Sequence, residues 1–222
     1  MDILQRYGSV TSLDEIPGLS TWYVSEITDF SSMFYNFMCL KNISALYNWN
    51  VSNGTNFNWM FSSCQLLKDI SPLSHWDVSN GTNFSGMFNN CVLLKDLTPL
   101  FNWNVSNGID FSGMFDECSS LIDVTLLSNW NVSNGTNFRR MFFECSSLKN
   151  LTISKWNVSN GTEFGGMFAM CESLKDIKPL SNWCVPRKYN VKWIFDDYSV
   201  SHNISVNQSE IDNLSINIKR HD

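Results

Sequence analysis

Tryptophan returns at a fixed interval along most of this 222-residue chain. Trp22, Trp49, Trp76, Trp103, Trp130, Trp156 and Trp183 are spaced 27, 27, 27, 27, 26 and 27 residues apart. The nine letters WNVSNGTNF stand at 49–57 and again at 130–138, with near copies beginning at Trp76, Trp103 and Trp156. Other marks keep step: Phe57, Phe84, Phe111, Phe138 and Phe164, then a Met-Phe pair, then Cys64, Cys91, Cys118, Cys145 and Cys171, then a leucine three residues later. A period in this range means a stacked array, because one unit cannot bury its apolar face alone and a neighbouring unit must cover it.

Within each unit, Phe57, Met60, Phe61 and Cys64 follow i, i+3, i+4, i+7. That spacing predicts one short helix, with Ser-Asn-Gly-Thr before it as turn residues and its glycine at positive φ. A two-residue hairpin at Asn-Gly is the rival reading; it leaves the stripe that follows unexplained. The second half of the unit, such as Cys64 to Trp76, is apolar at every third position. A short strand inside mostly irregular backbone is expected there, ending before Pro72, Pro99 and Pro179, since a central strand resists proline.

Met-Phe-x-x-Cys-x-x-Leu preceded by Trp-Asn/Asp-x-Ser-Asn resembles the BspA-type leucine-rich repeat, in the variant seen in mycoplasma surface lipoproteins and giant-virus repeat proteins. The resemblance covers residues 1 to about 198. It implies an α/β solenoid, a right-handed superhelix with one short parallel strand and one short helix per coil of about 27 residues. Two features depart from it: the 27-residue unit itself, and glycine at Gly54, Gly81, Gly108, Gly135 and Gly161 where relatives often carry valine. The expected organisation is one solenoid over 1–198, with a half-repeat at 1–21, repeats at 22–183 and a degenerate coil at 184–198. Residues 199–222 keep many aliphatic side chains and are expected to cap the last coil, with a strand at 203–206.

Net charge is −6, and Arg139–Arg140 is the only basic cluster inside the array, so a nucleic-acid partner is not expected. The N-terminal residues show no secretory signal and no run suits a membrane span. A cytoplasmic protein (host cytoplasm or virion, if viral) with free thiols is therefore expected.

The recurring polar and reactive columns read as scaffold. The cysteines lie on the apolar stripe, lack a Cys-x-x-Cys pair and have no histidine in register, so neither a redox site nor zinc is expected. Asp69, Asp96, Asp123 and Asp176 recur evenly among lysines and read as a solvated charge ladder. The tryptophans read as a core spine. No nucleophile, phosphate loop or cofactor motif is present, so the chain is not expected to be an enzyme or to hold a cofactor.

Specific function is then sought where the copies disagree. Ten residues after the tryptophan stand Trp59, Gly86, Gly113, Arg140 and Gly166; one place earlier, Asn58, Ser85, Ser112, Arg139 and Gly165. Trp59, Arg139, Arg140 and Phe143 are large where other units are small, and such residues dominate interface energetics. They form the candidate partner surface of a monomeric, non-catalytic protein-binding scaffold; the alternative is a surface adhesin that binds carbohydrate or matrix.

Overall fold

The computed structural model describes residues 6–186, 191–196 and 208–221. Successive units lie side by side in parallel. Single-residue parallel bridges join Asp29 to Asn56, Asn56 to Asn83, Asn83 to Asp110, Asp110 to Asn137 and Asn137 to Glu163. Each unit thus returns beside its predecessor after one period, and its first half supplies the pairing.

The nine-letter stretch can be accounted for almost letter by letter. The Trp49 indole N–H donates to Leu19 O of the preceding unit at 3.0 Å. Asn50 Oδ1 accepts the Ser52 amide at 3.1 Å, closing a local turn. Val51 is buried, and its carbonyl takes the Gly54 amide at 2.7 Å. The Asn53 side chain donates to Ser25 O of the preceding unit at 2.8 Å. Thr55 donates its amide and its hydroxyl to Thr28 O, at 2.8 and 3.2 Å. Asn56 accepts the Asn58 amide on Oδ1 and donates from Nδ2 to Asp29 at 3.0 Å. Phe57 enters the core.

Glycine at 54, 81, 108, 135 and 161 corrects an expectation. None of these residues has positive φ. They are required by lack of room: a Cβ on Gly108 would stand 2.3 Å from Phe111 Cζ and 3.0 Å from Val105 O.

The stripe from Phe to Cys is not helical. Met60, Ser62 and Cys64 donate to Phe57, Trp59 and Phe61 carbonyls, so consecutive turns overlap. The alternate amides of Phe57, Trp59, Phe61 and Ser63 leave the unit and donate to Asn83, Ser85, Met87 and Asn89 carbonyls of the next, at 2.8–2.9 Å. All four peptide groups therefore point the same way along the stack. The conformation needs left-handed residues at two sites: Trp59 and Ser63 have φ of 56° and 61°. At the first site Gly86, Gly113 and Gly166 take φ of 60°, 59° and 66°.

Where a unit has a short helix it lies in the second half, where a strand was expected. Ser71–His75, Thr98–Leu100, Thr125–Asn129 and Lys178–Asn182 are 3₁₀ helices. Pro72, Pro99 and Pro179 fall in their first turns, where a missing N–H costs no hydrogen bond. Asp69, Asp96, Asp123 and Asp176 stand one residue before the N-caps and accept the first helix amides at 2.9–3.0 Å, so the acidic column closes the turns that open these helices. The interval that is one residue short, 151–156, turns without forming such a helix.

The interior is a set of ladders. Phe30, Phe57, Phe84, Phe111, Phe138 and Phe164 stack face on face with centroids 5.4–5.7 Å apart. Phe34, Phe61, Phe88, Phe115, Phe142 and Phe168 form a second column at 5.5–5.8 Å. The periodic tryptophans Trp49, Trp76, Trp103, Trp130, Trp156 and Trp183 are buried, whereas Trp22 at the first unit is 38% exposed.

After Trp183, β1 (Cys184–Pro186) pairs in parallel with β2 (Lys219–His221). Between them α1 (Gln208–Asn217) packs against the Lys178–Asn182 and Val191–Ile194 helices. Ile211, Leu214 and Ile218 are buried there. The strand expected at 203–206 lies outside the described residues.

Two substitutions test this packing. Phe115→Ala should cost about 3–5 kcal/mol in urea unfolding, from lost burial and a cavity, and Phe195→Ala, in the degenerate last coil where the ring is tilted against Phe168, should cost less. Gly108→Ala should cost about 1–3 kcal/mol by overpacking; a neutral Gly108→Ala would contradict the close approach of Phe111.

Candidate functional site

The left-handed site of the stripe is where the units diverge. Its conformation suits glycine, and non-glycine residues held there cost of order 1–3 kcal/mol. Trp59 and Arg140 both occupy it, at φ of 56°. Trp59 is 41% exposed and has Tyr35 beside it, with ring centroids 6.0 Å apart. Its indole leans forward over the next unit, 3.1 Å from the place where Gly86 would carry a Cβ. Arg140 leans the other way. Its Nε lies 3.4 Å from Asp116 Oδ2 in the preceding unit.

Phe143 corrects an expectation. It is 4% exposed, because the Arg140 guanidinium lies 3.8 Å from its ring centroid and covers it. Phe143 therefore supports Arg140 and does not itself face a partner. Arg139 is exposed. Trp59, Arg139 and Arg140 line one groove of 270 Å³ with Gly86, Gly113 and Asp116. Three of the four residues singled out by comparing units are thus brought together, and Asp116 was missed. The available signal was its charge, opposite to that of Arg140 and set one unit back near the same register.

The other columns are committed to the scaffold. Cys64, Cys91, Cys118, Cys145 and Cys171 are buried free thiols. Each donates to a phenylalanine carbonyl of the preceding unit; Cys118 reaches Phe88 O at 3.2 Å. Burial pushes all five thiols up, Cys64 and Cys171 to about 12. A thiol held protonated is a poor nucleophile and metal ligand. Among the described residues no group of three or more His, Cys, Asp or Glu is placed to hold a metal ion. The hydroxyl and then the amide of Thr98 hold the Asp96 carboxyl below its usual range, and Ser79 does the same for Asp77. Both are turn contacts. Among the described residues no helix is long and apolar enough to cross a membrane.

Parallel units hydrogen-bonded one period apart define a tandem-repeat protein. The chain belongs to the family described as Mycoplasma protein of unknown function, DUF285, whose model matches residues 3–123 and 94–209. No curated protein matches the chain.

The raised thiols set a pH dependence. An unfolded chain loses its thiol protons near pH ~8.5, whereas the folded chain keeps them. Stability is therefore fully present below that value and falls as pH rises through the folded pKa values, by up to about 1.4 kcal/mol per pH unit for each thiol. Urea titrations from pH 8 to 10 should show the fall, and Cys118→Ala should make it shallower. An unchanged slope in that variant would contradict the protonated thiol column.

Proposed function

We propose that this repeat protein is a non-catalytic, monomeric scaffold that binds another protein through the face carrying Trp59, Arg139 and Arg140. One observation supports the reading most. At Trp59 and Arg140 the chain holds bulky side chains in a left-handed backbone conformation that three other units fill with glycine and the first fills with the small Ser32. Stability alone favours glycine there, so the large residues point to a role outside the fold. Trp and Arg are the side chains most often found at interface hot spots.

The finer fold reading is part of the same proposal. The parallel bridges and the return of each unit beside the last support a right-handed solenoid of leucine-rich-repeat type, BspA-like in its Met-Phe-x-x-Cys motif, with α1 and β2 capping its last coil. A cytoplasmic or virion location fits the free thiols. The polar groups around Trp59, Ser85, Asn89 and Asp116 among them, favour a saccharide-binding adhesin as the second reading.

The test restores the residues of neighbouring units. Trp59→Gly with Arg139→Ser copies Gly86 and Ser85, leaves the Arg140–Asp116 contact in place, and should melt no lower than the parent. It should lose capture of a partner that the parent retains from lysate of its own source cells. If both proteins capture the same set, the proposed surface is wrong.

A further inference from the structure

The walls of the groove converge on a single bare position. Trp59 leans forward and covers Gly86, and Arg140 leans back to Asp116. Gly113 lies between them. A Cβ at Gly113 would meet only the Asp116 side chain within 4 Å, at 3.7 Å, whereas one at Gly86 would strike the Trp59 ring. The gap over Gly113 is therefore open, with an indole on one side and a guanidinium on the other. Phe143 and Asp116 hold that guanidinium in place.

The chemistry of the walls selects the occupant. A volume of 270 Å³ falls below the ~300 Å³ at which drug-sized ligand sites begin, and suits one large side chain. An aromatic ring carries negative charge on its faces, which complements a guanidinium, and it stacks on an indole with an offset. The rim adds polar groups: Ser112, Asn89 and the buried carboxylate of Asp116. A carboxylate has about four lone-pair sites, so Asp116 can accept a further hydrogen bond while it faces Arg140. A flat ring with a hydroxyl at its tip meets all of these.

We propose that the gap over Gly113 is a receptor for a tyrosine side chain of a protein partner, its ring between Trp59 and Arg140 and its hydroxyl donating to Asp116. This rests on the protein-binding reading of the groove. No covalent step is involved, and recognition is by shape, stacking and one charge-assisted hydrogen bond.

The test uses the full chain, labelled with ¹⁵N, and three probes at millimolar concentration: N-acetyltyrosinamide, N-acetylleucinamide and methyl glucoside. N-acetyltyrosinamide should shift the Gly113 amide and the Trp59 indole N–H signals, and N-acetylleucinamide should not. Gly113→Asn fills the gap with a side chain that tolerates the left-handed backbone, as Asn90 does with φ of 56°. It should fold as the parent does and weaken the tyrosinamide response at least tenfold. Equal shifts from leucinamide, shifts from methyl glucoside alone, or an undiminished response in Gly113→Asn would each overturn the assignment. The two readings fail separately: partner capture that depends on Trp59 and Arg139 without any tyrosinamide response leaves the interface standing and removes only the tyrosine.

Discussion

Every second amide between Phe and Cys of a unit donates to the next unit, and most of the structure follows from that. Phe84, Gly86, Phe88 and Asn90 bond to Asp110, Ser112, Met114 and Asp116, all in one direction. The register between units is thereby locked at one period, and identical side chains come to lie over one another. Phenylalanine rings can then stack nearly parallel, with interplanar angles of 1–9° in the Phe30-to-Phe164 column. Stacked rings, tilted tryptophans between them and thiols aimed at carbonyls are consequences of that register. A single inserted residue in the stripe would break all of these columns at once.

Stacking like on like also sets limits on charge. The bridge column reads Asp29, Asn56, Asn83, Asp110, Asn137 and Glu163, so no two acidic residues adjoin. Like charges placed directly opposite are destabilising, and asparagine supplies the same turn acceptor without charge. Asparagine can also donate, and Asn56 does so to Asp29. The abundance of asparagine in the repeat thus has a mechanical reason: one side chain closes a local turn and another ties two units together.

Much of this was legible in the chain, and the failures are instructive. Fixed spacing identified the buried columns, because a residue type kept at every period is one that every neighbour must touch. The i, i+3, i+4, i+7 stripe was misread as a helix, since overlapping four-residue turns place side chains at the same intervals. Glycine at 86, 113 and 166 was the mark of the left-handed site, and its meaning depends on hydrogen bonds to another unit that no local pattern encodes. Proline at 72, 99 and 179 was read as ending a strand when it opens a helix; both accommodate a missing N–H. At the candidate site, comparison of copies found Trp59, Arg139 and Arg140. It misjudged Phe143, because burial there comes from a guanidinium laid over the ring, and it missed Asp116, which orients that guanidinium.

The groove inherits its precision from the same ladder. The floor at Gly86 and Gly113 and the attachment points of both walls are hydrogen-bonded into neighbouring units, so Trp59 and Arg140 stand on a rigid base. The most direct measurement is therefore of the ladder itself, by scalar couplings across hydrogen bonds in a deuterated, ¹⁵N,¹³C-labelled sample. The account predicts couplings from the amide nitrogens of Phe84, Gly86, Phe88 and Asn90 to the carbonyl carbons of Asp110, Ser112, Met114 and Asp116. Couplings from Phe88 and its neighbours to carbonyls four residues earlier in their own unit would mean a helix in each unit, and would contradict it.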